Sequence, residues 1–468
     1  MSIAATGTRT RPPETEVNVG LVLAPLMLGA LAYGVLGSVV VPALPLLQRD
    51  LHTSENGITW LLTAYFLAAA AATAVIGRLG DMFGKRRMLL LVLAVMAAGG
   101  LVCAVSNSLA PEIAGRAMQG LAGGLFPLAF GIIRDEFPHE RVAAGIGAVT
   151  AMIGVGAVGI ILPGLILPYL NWHWLFWIPM VITLIALAGT WMLVRESPVR
   201  PGGRVNWLNA ALMVVGVTAV VLGISEGGQW GWVTGRTLGV IIGGVVVCGV
   251  WIAAETFGSR PLINMSLMRL RGVWTTNVVA LLFGAGMYGA FAVYPIFAQL
   301  PPEAGFGYHA GILACGLYCL PMSIPTIIVS PYAGRLAARI RATTALTLGT
   351  LITAAGFGYM AVWSAHPYDM MISLGLMGLG FGIAFPTLMT VIVHSVPVVN
   401  VAETTGMNTV VRMLGGAIGT QVTAAMIAGH QRDGLPTQAG FTGSYLTLAA
   451  FMVVAALAAI AVGIRRRE

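Results

Sequence analysis

Three sets of residues in this chain have the types and spacing to do chemistry. The first is the run GRLGDMFGKRRMLL at 77–90. Asp81 stands there among Lys85, Arg86 and Arg87, a fixed charge cluster able to hold helix ends together in one state and release them in another. Gly77 and Gly84 permit a tight turn and a close helix approach. A plain basic anchor would need neither Asp81 nor the glycines. The second is Glu112 with Arg116, at i,i+4 in apolar surroundings. Protonation of Glu112 would free Arg116, making the pair a candidate for proton coupling; a static pair is the alternative. The third is Arg412, the other cation inside an apolar stretch. Enzyme chemistries find no support. Lys85 is the only lysine and Arg86 follows it, so no phosphate-cradling G-x-x-x-x-G-K-[ST] loop exists. The seven histidines are scattered without metal spacing, and no G-x-S-x-G elbow occurs. Cys103, Cys248, Cys315 and Cys319 all lie in apolar runs and read as buried small residues. The expectation is a protein that is not an enzyme, with no cofactor and no metal.

The elements that must position these residues are membrane spans. Of 468 residues, 57% are apolar and 9% charged, against about 45–50% and about 25% in soluble domains. The mean hydropathy is +0.88. A spanning helix takes roughly 20 apolar residues. Charge-free stretches run over 17–48, 56–77, 88–111, 117–133, 142–194, 205–225, 237–254, 272–302, 304–334, 342–368, 370–402, 413–431 and 434–464. The fifth is too long for one crossing and breaks at the interfacial cluster Tyr169-Leu170-Asn171-Trp172-His173. The prediction is therefore an all-α polytopic membrane protein with fourteen helices. The span holding 117–133 is expected to begin near Pro111, and the thirteenth near Glu403, which places Arg116 and Arg412 inside the membrane. The polar start of the chain lacks a cleavage pattern, so the first helix reads as retained.

The net charge of +8 would suggest nucleic acid in a soluble protein. Sorted by connection, 20 of the 25 cations fall on one side, from Arg9 to Arg467, and only Arg49, Arg236 and Arg432 on the other. The positive-inside rule then puts both termini in the cytoplasm of a plasma (inner) membrane. Arg116 and Arg412 remain within spans. Twenty-four arginines to one lysine suggest a GC-rich bacterial genome. The sequence also repeats. Phe126-Pro127 and Phe137-Pro138 return as Phe385-Pro386 and Val396-Pro397, offset by 259, as do Gly147 to Gly406 and Gly156 to Gly415. Gly77-Arg78-Leu79 returns as Gly334-Arg335-Leu336, offset by 257, and Gly29 to Gly34 as Gly284 to Gly289, offset by 255. Helices 1–6 thus match 9–14 as parallel repeats, with two helices inserted between them. The expected organisation is a six-helix bundle at 1–194, two inserted helices at 195–260, and a second six-helix bundle at 261–468.

The 77–90 run resembles the major facilitator superfamily pattern G-x-L-x-D-x-x-G-[RK]-[RK], through Gly77, Leu79, Asp81, Gly84, Lys85 and Arg86. Arg116-Ala117-Met118-Gln119-Gly120 looks like that family's R-x-x-Q-G. NWHWLFWIP at 171–179 and MNTVVRMLGGAIGTQV at 407–422 are similar to its fourteen-helix drug:proton antiporter branch. Gly154, Gly156, Gly159, Pro163 and Gly164 match that branch's helix-5 signature loosely, and close packing explains them about as well. The resemblance implies alternating access between two bundles, a small-molecule substrate, protons and the lipid bilayer as partners, no nucleic acid, and a monomer. It implies gating by Gly77, Asp81, Gly84, Lys85 and Arg86, the second copy being degraded at Ala338 and Arg341. On the axis-facing helices it points to Tyr33, Tyr65, Phe126, Phe130, Asn277, Tyr288, Tyr294, Asn408 and Arg412 as cavity lining, each of which core packing would also explain. The branch commonly carries an aspartate in helix 1, where this chain has Leu36, and an asparagine where it has Val41. The expected substrate is therefore neutral or anionic and largely apolar, with export of a lipophilic drug, antibiotic or metabolite in exchange for protons as the leading function. A facilitator or importer of an organic anion without proton exchange is the alternative.

Overall fold

The computed structural model describes residues 19–196, 206–258, 263–432 and 435–464. Arg9, Arg11, Arg200, Arg204, Arg260 and the arginines at 465–467 lie outside them. Within the described residues, fourteen helices are long and apolar enough to cross a bilayer. They are α1 Val19–Ala43, α2 Gly57–Phe83, α3 Lys85–Val105, α4 Leu109–Glu136, α5 His139–Ile166, α6 Trp174–Leu193 and α7 Trp207–Trp230. The second seven are α8 Gly235–Phe257, α9 Arg271–Ala298, α10 Leu313–Ile340, α11 Ala342–Val362, α12 Pro367–Ser395, α13 Val398–Gly429 and α14 Gln438–Ala461. The break expected at 169–173 lies between α5 and α6. Arg116 and Arg412 fall within α4 and α13.

Local chemistry sets the helix ends. Ser54 Oγ accepts from Gly57 N at 3.1 Å, and Thr234 and Asn206 cap α8 and α7 in the same way. Gly84 ends α2 and begins α3 at φ 110°, a left-handed region open to glycine. Its repeat equivalent is Arg341, between α10 and α11 at φ 73°, where a side chain bears the strain. Single-turn 3-10 segments interrupt α4 at Leu121–Gly124 and α5 at Val158–Ile161.

The packing obeys the repeat. In the first half α1 packs on α5 and α6, α2 on α4, and α3 on α4 and α6; in the second, α9 packs on α13 and α14, α10 on α12, and α11 on α12 and α14. The halves meet along two seams, α2 with α13 and α5 with α10, which exchange under the repeat. The inserted α7 and α8 form a hairpin, with α7 lying against α2 and α13. With each backbone polar group satisfied inside its own helix, only side chains and terminal carbonyls are left to bond between helices.

Candidate functional site

Small residues bring the two seams together at one face of the bundle, the end that carries the α2–α3 turn. A Cβ on Gly77 would collide with the carbonyl oxygen of Ala402, and one on Gly406 would stand 3.0 Å from Ala74 Cα. On the other seam a Cβ on Gly334 would collide with Ala143, and one on Gly147 would come within 2.9 Å of Pro331 Cα. These contacts are repeat equivalents of each other. The charges are not. On the α2–α13 seam Arg78 Nη1 donates to Glu403 Oε2 at 3.0 Å, and the Glu403 main-chain N–H donates to Asp81 Oδ2 at 2.9 Å. Glu403 also accepts from Asn264 N at 2.5 Å and Asn400 Nδ2 at 3.0 Å. Asp81 and Glu403 are buried, so these bonds form away from competing water. The equivalent positions of Asp81 and Glu403 on the other seam are Ala338 and Ala144.

The remaining expected gating residues brace this latch from the first half. Lys85, almost fully buried, places Nζ 2.9 Å from Asp135 Oδ2 and 3.5 Å from Asp81 Oδ1. Arg86 turns away from the seam, its Nη2 donating to the Trp191 carbonyl at 2.5 Å. Glu196 closes over Gly84 and accepts from the main-chain N–H groups of Arg86 and Arg87 at 3.3 Å each, capping α3 at its positive end. Asp135, Glu196, Glu403, Asn264 and Arg78 were not singled out by motif reading for these contacts. Asp135 and Glu196 carried one available signal: each is an acid in a basic connection.

The expected Glu112–Arg116 pair is not formed. Arg116 is fully buried and gives its protons elsewhere: Nη1 to the Leu36 carbonyl at 2.9 Å and to Gln119 Oε1 at 2.8 Å, and Nε to the Leu61 carbonyl at 3.1 Å. Its guanidinium also lies 4.4 Å from the centre of the Tyr65 ring. The physical reason is local. Regular α-helical bonding in α1 stops at Ser38, so carbonyls of its last turn, Leu36 among them, are open to a side-chain donor. Glu112 is buried one turn away, and neither carboxyl oxygen has a hydrogen-bond partner among the described residues. The Cys103 thiol donates to its main-chain carbonyl at 3.6 Å.

A cavity of about 330 Å³ lies between the halves. Its wall comes from both, with Gly34, Ser38, Leu62, Phe126 and Ile153 on one side and Met287, Phe291, Met322, Leu374 and Thr409 on the other. Val41, Leu62, Pro295 and Leu374 are near the helix ends opposite the latch, so the cavity occupies that half of the bilayer. Six of the nine expected lining residues are there: Tyr33, Tyr65, Phe126, Tyr288, Tyr294 and Arg412. Tyr33 packs edge-on to Phe126 at 5.5 Å, and Phe66 of α2 meets Tyr288 of α9 at 6.1 Å across the halves. Phe130, Asn277 and Asn408 do not line it. Phe130 packs behind Phe126, and Asn408 Nδ2 donates to Asn277 Oδ1 at 2.8 Å, tying α13 to α9. Phe66, Phe291 and the methionines of the wall were missed, because an apolar residue in an apolar helix gives no sign of which side faces a cavity. Among the described residues no group of three or more His, Cys, Asp or Glu is placed to hold a metal ion.

A family profile described as Major Facilitator Superfamily matches residues 26–420. The chain is 26% identical over 442 residues to the tetracenomycin C resistance and export protein of Streptomyces glaucescens, covering 92% of this chain and 79% of that one. It is 27% identical over 399 residues to the multidrug transporter protein MdtP of Bacillus subtilis, covering 84% and 72%. Among solved structures, the human organic anion transporter MFSD10 superposes with a TM-score of 0.66 at 17% identity, covering 96% of this chain and all of that one. The proton:xylose symporter XylE superposes at 0.66 with 14% identity, covering 94% of each. At such identities the two structures speak for the fold.

Proposed function

The chain belongs to the Major Facilitator Superfamily, and from that premise we propose that it exports a lipophilic drug, antibiotic or metabolite across the plasma membrane in exchange for protons. The observation that carries this reading is a cavity shared by both halves on one side of a closed latch, the geometry of one end state of an alternating-access cycle. The bias of arginines toward the latch face supports placing that face and both termini in the cytoplasm. In this state the cavity is then turned outward, and the return to inward access requires Glu403 to part from Arg78 and Asp81. The bundles of 1–194 and 261–468 move as the two units, with α7 and α8 carried at the α2–α13 seam.

Glu112 is the proton carrier in this reading. It is a buried carboxyl whose oxygens have no hydrogen-bond partner among the described residues, one turn from a cation that α1 and α2 already hold. Tetracenomycin C, named for the Streptomyces relative, is the first substrate to try. Inside-out vesicles with an acid interior are expected to accumulate it with the wild-type protein. Glu112→Gln is expected to lose most of that pH-driven uptake; uptake at the wild-type rate would remove Glu112 from the proton path. The alternative, organic-anion flux without proton exchange, draws on the unpaired Arg412, and flux indifferent to an imposed pH gradient would decide for it.

A further inference from the structure

We propose that Arg412 reads charge in the cavity and makes it select monoanions that carry a flat aromatic body. This deepens the export reading and rests on it for the identity of the site. The two arginines inside the membrane make the case by contrast. Arg116 spends its donors on two main-chain carbonyls and Gln119, and it does not line the cavity. Arg412 lines the cavity, is only 4% exposed, and makes no hydrogen bond and no ion pair among the described residues. Its guanidinium carbon lies 4.6 Å from the centre of the Phe385 ring. Among the described residues no aspartate or glutamate is in the cavity wall. Glu403, about two and a half turns along the same helix, is fully occupied at the latch.

A buried cation without a counter-charge is costly, and a planar guanidinium fits carboxylate or sulfonate oxygens in a two-pronged arrangement. The place of Arg412 is fixed by the α9–α13 contact, since a Cβ on Gly284 would collide with its main-chain oxygen. Tyr33, Phe66, Phe126, Tyr288 and Phe291 supply ring faces and edges for an apolar body. The same charge repels cationic amphiphiles, and this wall holds no acid to neutralise them.

The test uses two fluorescent probes of nearly the same shape, 1-anilinonaphthalene-8-sulfonate, an anion, and N-phenyl-1-naphthylamine, which is neutral. Binding is measured to the full chain in phosphatidylcholine nanodiscs, with empty nanodiscs subtracted. Arg412→Gln is expected to weaken the sulfonate about ten- to a hundredfold, the worth of one charge-assisted hydrogen bond, and the neutral probe less than about twofold by the same reasoning. Arg412→Lys is expected to recover part of the loss. Equal affinity of wild type and Arg412→Gln for the sulfonate overturns the proposal, as does an equal loss of both probes in a variant that melts like wild type. Vesicle flux is read separately. Selective sulfonate binding without any energised transport would leave the charge selectivity standing and sink the export reading.

Discussion

At the residue scale, the chemistry of this chain depends on which partner each buried charge found. Arg116 staples α1, α2 and α4 through two carbonyls and Gln119. Arg116→Leu leaves those acceptors unsatisfied, about 1–3 kcal/mol, and is expected to lower the melting temperature in detergent; an unchanged melt would show that the bonds are not holding the helices. Asp81→Asn keeps the size of the side chain but weakens its acceptance from Glu403. It is expected to insert normally and transport poorly, and near-normal flux would contradict the latch. Glu403→Gln combined with Arg78→Gln is expected to cost less than the two losses added, because both remove the Arg78–Glu403 ion pair. The presence of these charges was legible in the sequence; their pairings were not. An i,i+4 spacing offered Glu112 to Arg116, but spacing along one helix says nothing of an open carbonyl on a neighbour. Arg78 and Glu403 are 325 residues apart, and only folding brings them together.

At the element scale, the thirteen charge-free runs, the break before Trp174 that makes them fourteen helices, and the repeat offsets were all legible, because hydropathy and glycine spacing are local signals. The offsets went further than topology. They match Gly77 to Gly334 and Gly147 to Gly406, and these four glycines line the two seams where the halves touch. Gly77→Val is expected to wedge α2 from α13 at Ala402 and favour the state in which the latch face is open. Spin labels on the latch-face ends of the two helices would show this as a longer distance, and an unchanged distance would mean the seam tolerates the added bulk. Gly84→Ala is expected to destabilise the α2–α3 turn, since φ 110° strains any side chain and Glu196 fills the space. What the elements did not reveal was the direction each apolar face takes, so Phe66 and Phe291 stood unnoticed beside Tyr33 and Tyr288.

At the scale of the whole molecule, orientation and asymmetry set the behaviour. Green fluorescent protein fused to the C-terminus is expected to fluoresce in cells, and alkaline phosphatase fused there to be inactive; the reverse pattern would invert the proposed topology. The fold is twofold in outline, but its chemistry is one-sided. One seam carries Arg78, Asp81 and Glu403, whereas Ala338 and Ala144 stand in for both acids on the other. Four groups converge on Glu403: the side chains of Arg78 and Asn400 and the main-chain N–H of Asn264 donate to its carboxylate, and Asp81 accepts from its main-chain N–H. Reversing a two-state balance from 99:1 to 1:99 takes about 5.5 kcal/mol. A few charge-assisted bonds, roughly 1.5–3 kcal/mol each, are of that order. In the proposed export cycle, one carboxylate remote from the cavity is then enough to set where the empty protein rests between turnovers. Sensitivity to a compound can then drift in either direction through changes at the latch, with every residue that touches the compound left as it was.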